Sequence, residues 1–400
     1  MITTIAIALT QLAILGGWLR TAIHAFGFQA LPSAKSLAIS QRKKWPRLSI
    51  LIPALNEGTT IRSAVTTILS ADYPDLEIIC VNDRSTDNTW EVIEDLAAHD
   101  KRIKAINISE LPSAWLGKVH ALDQALAAAT GHYVLCTDAD VHFSQDALKR
   151  AVMMMEHRRL DHLSLLPKIA SAGFLFDTAL AQAGWVLFYF INPARMGTDS
   201  CRGPMGVGAF NLVRADLMHR IQPFKILRME VIDDIGLAIV CHQAGGKCAF
   251  MGAGPAVSLE YYAGYGEMLK GLEKNAFALS RYSAARATAE NLFVIVAPFI
   301  AFVWPFFRSD WTIASGIAVY LISCLLEFRS LQNHWVNPAV IPAFPVGMIL
   351  CGIAGIRSMI QTLRRGGINW RGTTYPLSDL RRMQITKLPI PKRRASLSEK

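Results

Sequence analysis

Charge is scarce in this chain. Asp, Glu, Lys and Arg make up 18% of its 400 residues, against 52% hydrophobic residues. A soluble globular chain carries more charge than that, so part of this one is expected in a membrane. Paired cysteines are missing too. The seven cysteines, at 80, 136, 201, 241, 248, 324 and 351, include no Cys-x-x-Cys. Their spacing excludes zinc fingers and dithiol redox motifs, and fits reduced structural thiols in a cytoplasmic compartment. Basic residues are not interleaved with aromatics, so the net charge of +10 does not read as a nucleic-acid surface. Internal repeats and long low-complexity segments are absent.

The apolar residues are concentrated in blocks. Residues 2–28 are broken only by Arg20 and His24, long enough to cross a bilayer. Positive charge follows this block (Lys35, Arg42, Lys43, Lys44, Arg47) instead of preceding it. That pattern is an uncleaved anchor, with the next domain on the cytoplasmic side. Apolar runs return at 291–307, 311–328 and 338–360. An amphipathic stretch at 261–286 precedes them, and a basic tail follows from Arg357 to Lys400. One anchor plus three spans would put that tail opposite the domain that follows the anchor, although both are basic. The conflict points to one proline-bearing run, 291–307 or 338–360, lying re-entrant or interfacial. The expected divisions are an anchor at 1–30, an α/β domain at 46–260, an interfacial segment at 261–290, transmembrane helices at 291–360 and a basic cytoplasmic tail at 361–400.

Between the apolar blocks the pattern alternates. Runs at 48–53, 76–82, 103–108 and 132–137 read as buried strands; 61–70, 86–98 and 118–129 have helical spacing. Alternation of this kind predicts a mostly parallel sheet with helices on both faces. Ligands of such sheets bind beyond the carboxyl ends of the strands. Polar motifs fall at those ends. Leu51-Ile-Pro-Ala-Leu-Asn-Glu57 leaves Asn56 and Glu57 at the edge of the first strand. Val81-Asn-Asp-Arg-Ser-Thr-Asp-Asn-Thr89 places Asp83 at the end of the second, with Ser85 or Thr86 as the expected cap of the next helix. Trp115-Leu-Gly-Lys118 offers a lysine at a glycine turn, suited to a diphosphate or simply solvated.

Thr137-Asp-Ala-Asp140 follows the fourth strand. In extended chain Asp138 and Asp140 point the same way, a costly pairing unless a cation such as Mg²⁺ or Mn²⁺ lies between them. Glu230-Val-Ile-Asp-Asp234 opens an amphipathic helix at 235–243. Its acids either stabilise the helix dipole or supply a general base, for which Asp234 is the candidate. Lys274-Asn-Ala-Phe-Ala-Leu-Ser-Arg-Tyr282 sets Arg281 beside an aromatic, to meet a leaving diphosphate or lipid headgroups. Gly203–Phe210 reads as an acceptor entrance or a small-residue packing site.

Taken in order, these motifs resemble family-2 glycosyltransferases of the GT-A fold, over roughly 48–282. The run from Leu111 to Leu122 and Asp138-Ala-Asp-Val-His-Phe143 look like the membrane-bound subgroup that includes hopene-associated glycosyltransferases and relatives acting on carotenoid or sphingolipid acceptors. The resemblance implies an inverting, metal-dependent transfer of a sugar from a nucleotide-sugar donor, by default a UDP-sugar, to a hydroxyl acceptor. Glu57 and Asp83 would contact the nucleoside, Lys118 and Asp138 the donor, and Asp140 the Mn²⁺ or Mg²⁺. Asp234 would be the base, and Arg281 would face the leaving group. Two residues depart from the family's Gln-x-x-Arg-Trp motif, Ala278 and Tyr282, and Asp233 replaces a Glu. Anchoring at both ends suggests a lipid acceptor and a multi-pass protein of the inner cell membrane. The rival readings are a polysaccharide or polyprenyl-phosphate sugar transferase, and an inactive scaffold of the same fold.

Overall fold

The structure is a computed structural model that describes residues 2–37, 44–196, 204–308, 310–331 and 337–384. Its contacts divide the chain into two units. An α/β unit holds 29–169, 195–260 and 382–400; a helical unit holds 1–28, 170–194 and 261–381.

The α/β unit is built on one eight-stranded sheet. Its strands are β1 (Leu48–Ala54), β2 (Leu76–Asp83), β3 (Ile103–Ile108), β4 (Tyr133–Cys136), β5 (His142–Phe143), β6 (His162–Ile169), β7 (Asn211–Arg214) and β8 (Cys248–Leu259), in the order β3-β2-β1-β4-β7-β6-β8-β5. Strands β1 and β2 are buried along their whole length, as their unbroken apolar runs require of a sheet covered on both faces. Ile50, Ile52 and Leu135 are fully buried, and each burial contributes on the order of 2 kcal/mol. The four strands read from sequence are present, each within two residues of its expected ends.

Register decides what meets at the rim. Strands β1 to β4 run parallel, so the loops after Ala54, Asp83, Ile108 and Cys136 leave from one edge. Strand β7 is antiparallel to β4 and pairs Asn211 with Cys136. The chain entering β7, residues 204–210, therefore arrives beside Thr137–Asp140.

Among the described residues, the helical unit contains four helices long and apolar enough to cross a membrane: Ile2–Phe26, Ala284–Phe307, Thr312–Ser330 and Pro338–Arg364. A shorter apolar helix, Phe174–Phe190, lies inside the sequence expected to be wholly α/β, yet groups with these spans. On the first helix, Ile2, Ile5, Leu9, Leu12, Leu19, Ile23 and Phe26 are exposed, while Ile7, Ile14, Trp18 and Ala22 are buried. Apolar residues on both faces suit a helix with protein on one side and lipid on the other. The proline-bearing runs are helical but irregular. Ala284–Pro298 passes into a π turn at Phe299–Val303 and a 3-10 turn at Trp304–Phe307; Pro338–Ala343 is a 3-10 turn before Phe344–Arg365. Glycines let that last helix pack closely: a Cβ on Gly355 would stand 1.9 Å from the Asn291 side chain, and one on Gly347 2.7 Å from the Thr178 carbonyl.

Two expected segments are more folded than their composition suggested. The stretch 261–290 breaks into short helices, Tyr265–Gly271 and Ala276–Leu279, before the helix at Ala284. The start of the basic tail forms a hairpin, Gly367–Trp370 with Thr373–Pro376, because Arg371 and Gly372 both adopt the positive φ of a tight two-residue turn. Residues 385–400 of the tail lie outside the described residues.

Candidate active site

The first two rim loops are stitched together. Asn56, at φ 57°, accepts the Thr86 N–H on its side-chain oxygen at 2.8 Å, and its own N–H donates to the Ser85 hydroxyl at 3.0 Å. The Glu57 N–H donates to the Thr89 hydroxyl at 2.8 Å, and the Gly58 N–H to the Asp87 carboxylate at 3.1 Å. Ser85 and Thr86 thus tie loops together and do not cap the next helix. That helix starts at Thr89, whose N–H donates to Asp87 at 3.0 Å; burial opposes the Asp87 charge, but the Thr89 hydroxyl, the Thr89 N–H and the Gly58 N–H outweigh it and hold this carboxyl below its usual range. The Glu57 carboxylate accepts the Thr60 hydroxyl at 2.9 Å.

Asp83 ends β2 with 2% of its surface exposed, and its two oxygens accept Arg84 Nε at 2.8 Å and Nη2 at 3.2 Å. It is seated against the start of helix Gly117–Ala128. A Cβ on Gly117 would lie 2.2 Å from an Asp83 oxygen, so only glycine allows this approach.

Lys118 follows Gly117 and reaches across to two acids. Its ammonium is 2.8 Å from Asp138 and 3.6 Å from Asp233. Burial opposes its charge, but Asp138, Asp233 and Asp234 outweigh burial and raise its pKa. Asp138 and Asp140 are not on extended chain as expected; the backbone turns at Ala139 and Asp140 as soon as β4 ends. The two acids still sense each other. Burial, then the charges of Asp138 and Glu57, push the Asp140 carboxyl up to about 6. One oxygen of Asp140 is buried with no hydrogen-bond partner among the described residues.

Asp233 and Asp234 begin helix Asp233–Gln243. Asp234 accepts the Gly208 N–H at 2.9 Å on one oxygen and the Ile235 N–H at 2.8 Å on the other. Burial, then the adjacent Asp233 charge, raises its pKa; Lys118 acts the other way. The glycine-rich stretch before β7 is the wall of this cleft. A Cβ on Gly206 would stand 1.9 Å from the Asp234 carbonyl, and one on Gly208 2.7 Å from Asp138. A buried network holds that wall: Val207 N–H donates to the Ser164 hydroxyl at 2.9 Å, and the Asn211 amide donates to the Val207 carbonyl at 2.8 Å. The resulting cleft is lined by Lys118, Thr137, Asp138, Gly208, Asn211, Asp233 and Asp234.

Glu57, Asp83, Lys118, Asp138, Asp140 and Asp234 thus all lie at one edge of the sheet. Arg281 belongs to the helical unit. It is exposed at φ 54° and is followed by Tyr282 at φ 53°, whose buried ring packs edge-on against Phe277 at 5.5 Å. The sequence reading missed Asp233 as a partner of Lys118 and missed Asn211; it singled out Gly203–Phe210, in which Gly206 and Gly208 stand against Asp234 and Asp138. The Gly-x-Gly spacing before β7 was the available signal for the glycines.

Comparison with known proteins agrees with this arrangement. Residues 49–235 match the family model "Glycosyl transferase family 2". A poly-beta-1,6-N-acetyl-D-glucosamine synthase of Staphylococcus epidermidis is 33% identical over 132 residues, 32% of this chain and 31% of that protein. A probable glycosyltransferase of Bacillus subtilis is 37% identical over 100 residues, 24% of each chain. The chain therefore spans about a third or less of the length of these curated relatives. A mannosyltransferase from Pyrobaculum calidifontis, solved with GDP-Man and Mn²⁺, superposes with a TM-score of 0.53 at 18% identity, covering 89% of this chain and 99% of that one. The motifs, the sheet order and the match over 49–235, just under half of the chain, agree in relating the α/β region to glycosyl transferase family 2, with a GT-A fold.

Proposed function

We propose that the chain transfers a sugar, with inversion, from a nucleoside-diphosphate donor to a hydroxyl group of a membrane lipid. The observation that carries this reading is the carboxylate cleft. Asp138, Asp233 and Asp234 are gathered there around Lys118, with Asp140 beside Asp138 and holding an unpaired buried oxygen. So much negative charge in one buried place is costly unless a cation joins it.

No group of three His, Cys, Asp or Glu side chains fit to hold a metal occurs among the described residues. Asp140, with help from Asp138, would hold a Mn²⁺ or Mg²⁺ ion, for which carboxylate oxygens are suited ligands. When bound, such an ion offsets charge on the leaving diphosphate. Asp83 and Glu57 sit where a nucleoside would lie, and Lys118 exchanges part of its pairing with Asp138 for the donor. Asp234 accepts the proton of the acceptor hydroxyl while that oxygen bonds to the anomeric carbon. The bond from that carbon to the diphosphate oxygen breaks on the opposite side, releasing the nucleoside diphosphate. The Gly208 N–H keeps the Asp234 carboxylate aimed.

Four candidate spans support a membrane protein, with a multi-pass topology and a cytoplasmic catalytic domain as the proposed arrangement. A polysaccharide acceptor is the second reading, favoured by the activity of the Staphylococcus relative. Detergent-purified protein, radiolabelled UDP- and GDP-sugars, Mn²⁺ or Mg²⁺ and a membrane-lipid extract test the two. Label entering the organic phase, lost on chelation and in Asp140→Ala and Asp234→Ala, supports the lipid reading. Label confined to water-soluble polymer favours the polysaccharide. No transfer and no donor binding sink both.

A further inference from the structure

The helical unit buries polar groups in two different ways. Gln11 is 2% exposed and fully engaged: its amide nitrogen donates to the Ala301 and Thr312 carbonyls, each at 3.1 Å, and its oxygen accepts the Ser315 hydroxyl at 2.7 Å. Glu327 has no exposed surface. One of its oxygens accepts the Gln182 amide at 2.8 Å, and the other has no partner among the described residues. One turn earlier on the same helix face, Ser323 is fully buried and its hydroxyl is also unpaired. One turn beyond Gln182 stands Trp185, and one turn before Ser323 stands Val319. Both belong to the apolar cluster of Trp18 and Phe344. Trp18 and Trp185 lie 4.4 Å apart by ring centroids, and both indole N–H groups are buried and unpaired.

Four unpaired polar groups along one apolar seam are expensive where no water competes. A carboxyl inside a span usually marks a site. The groups present also restrict the visitor. The carboxyl and Ser323 accept a hydrogen bond; the indoles and Ser323 donate one. A hydroxyl does both. An anion would meet Glu327, and an ammonium would leave the indoles unpaired. The walls are Trp18, Trp185, Val319 and Phe344, so the body attached to that hydroxyl is apolar. Glu327 lies three residues from the end of the candidate span Thr312–Ser330.

We propose that Glu327, Ser323 and Gln182 form a binding site for the hydroxyl of a long-chain lipid alcohol. Binding there stands on the helical unit alone; that the bound alcohol is the sugar acceptor rests on the proposed function. The test uses the full chain in phospholipid nanodiscs without any sugar donor, so its failure leaves the transfer reading untouched. The probes are a long-chain primary alcohol carrying a diazirine, its methyl ether and the matching fatty acid. On illumination the alcohol labels peptides from 174–190 and 312–331 about ten-fold more than the ether, the worth of one hydrogen bond to a buried carboxyl. Glu327→Leu removes that preference, and Ser323→Ala, which keeps the Gln182 bond, reduces it about three-fold or more. Equal labelling by alcohol and ether, stronger labelling by the fatty acid, or an alcohol preference unchanged in both variants overturns the site. The polar groups are then a helix tie or a water site only.

Discussion

Two ends of the same sheet treat carboxylates in opposite ways. Glu77 sits at the amino end of β2, 2% exposed, and is served by many donors. Ser49 Oγ and the Thr130 N–H lie at 2.6 Å, Thr130 Oγ1 at 2.8 Å, Lys104 at 2.7 Å and Arg47 at 3.3 Å. Burial alone would raise its pKa, but these partners lower it to about 2. At the carboxyl end of the sheet, Asp140 has an oxygen with no partner among the described residues and is pushed up to about 6. Asp234 is raised as well. The amino end resembles a finished structure. The carboxyl end is short of donors, a pattern expected of functional sites.

The comparison is broken most sharply by Asp234→Asn. Loss of a general base should lower kcat for transfer by about 10²–10⁴, with nucleotide affinity and melting temperature retained. Initial rates and calorimetric titration with nucleotide check this; a variant with normal kcat ends the assignment. Glu77→Gln should do the reverse. It strands buried donors and costs about 1–3 kcal/mol of stability, while kcat below the melting temperature stays normal. Gly206→Ala joins the two behaviours, because its methyl group would press on the Asp234 backbone. Strain of about 1–3 kcal/mol and a fall in kcat are expected together.

The smallest effect is in pH dependence, and its sign differs at the two ends. Glu77 has a folded pKa below the usual 4.5, so its stabilisation is present above that value and is lost as the pH falls towards 2. Asp140 has a folded pKa above its usual 3.8, so its ionisation destabilises the fold above about pH 6, and relief is complete only below pH 3.8. Asp140→Asn should therefore melt higher than the parent at neutral pH, and the gap should close on acidification. Melting curves across that range measure it, in the absence of divalent metal. Equal melting temperatures throughout would mean that Asp140 is not strained.

Much of the site was legible because its residues come in local runs. Pro53 to Glu57, Asp83 to Thr89, Thr137 to Asp140 and Asp233-Asp234 each follow an apolar run or open a helix, and the structure puts them on one rim as the strand pattern required. What failed was detail that depends on distant partners. Ser85 and Thr86 looked like caps, yet Asn56 and its neighbours claim them. Helix Phe174–Phe190 was missed as part of the helical unit, because its apolar run is shorter than a span and interrupts an α/β pattern.

The sequence by itself determined the resemblance to glycosyl transferase family 2, the first four strands, the acids at their carboxyl ends and the apolar blocks, since period and motif are local properties. Only the tertiary structure decided which acids Lys118 holds, that Gly206 and Gly208 wall the cleft, that Glu77 is satisfied while Asp140 is not, and that Gln182 meets Glu327. Those pairings depend on sheet register and helix packing between residues far apart in the chain, and a carboxylate's pKa follows from what surrounds it once they are made.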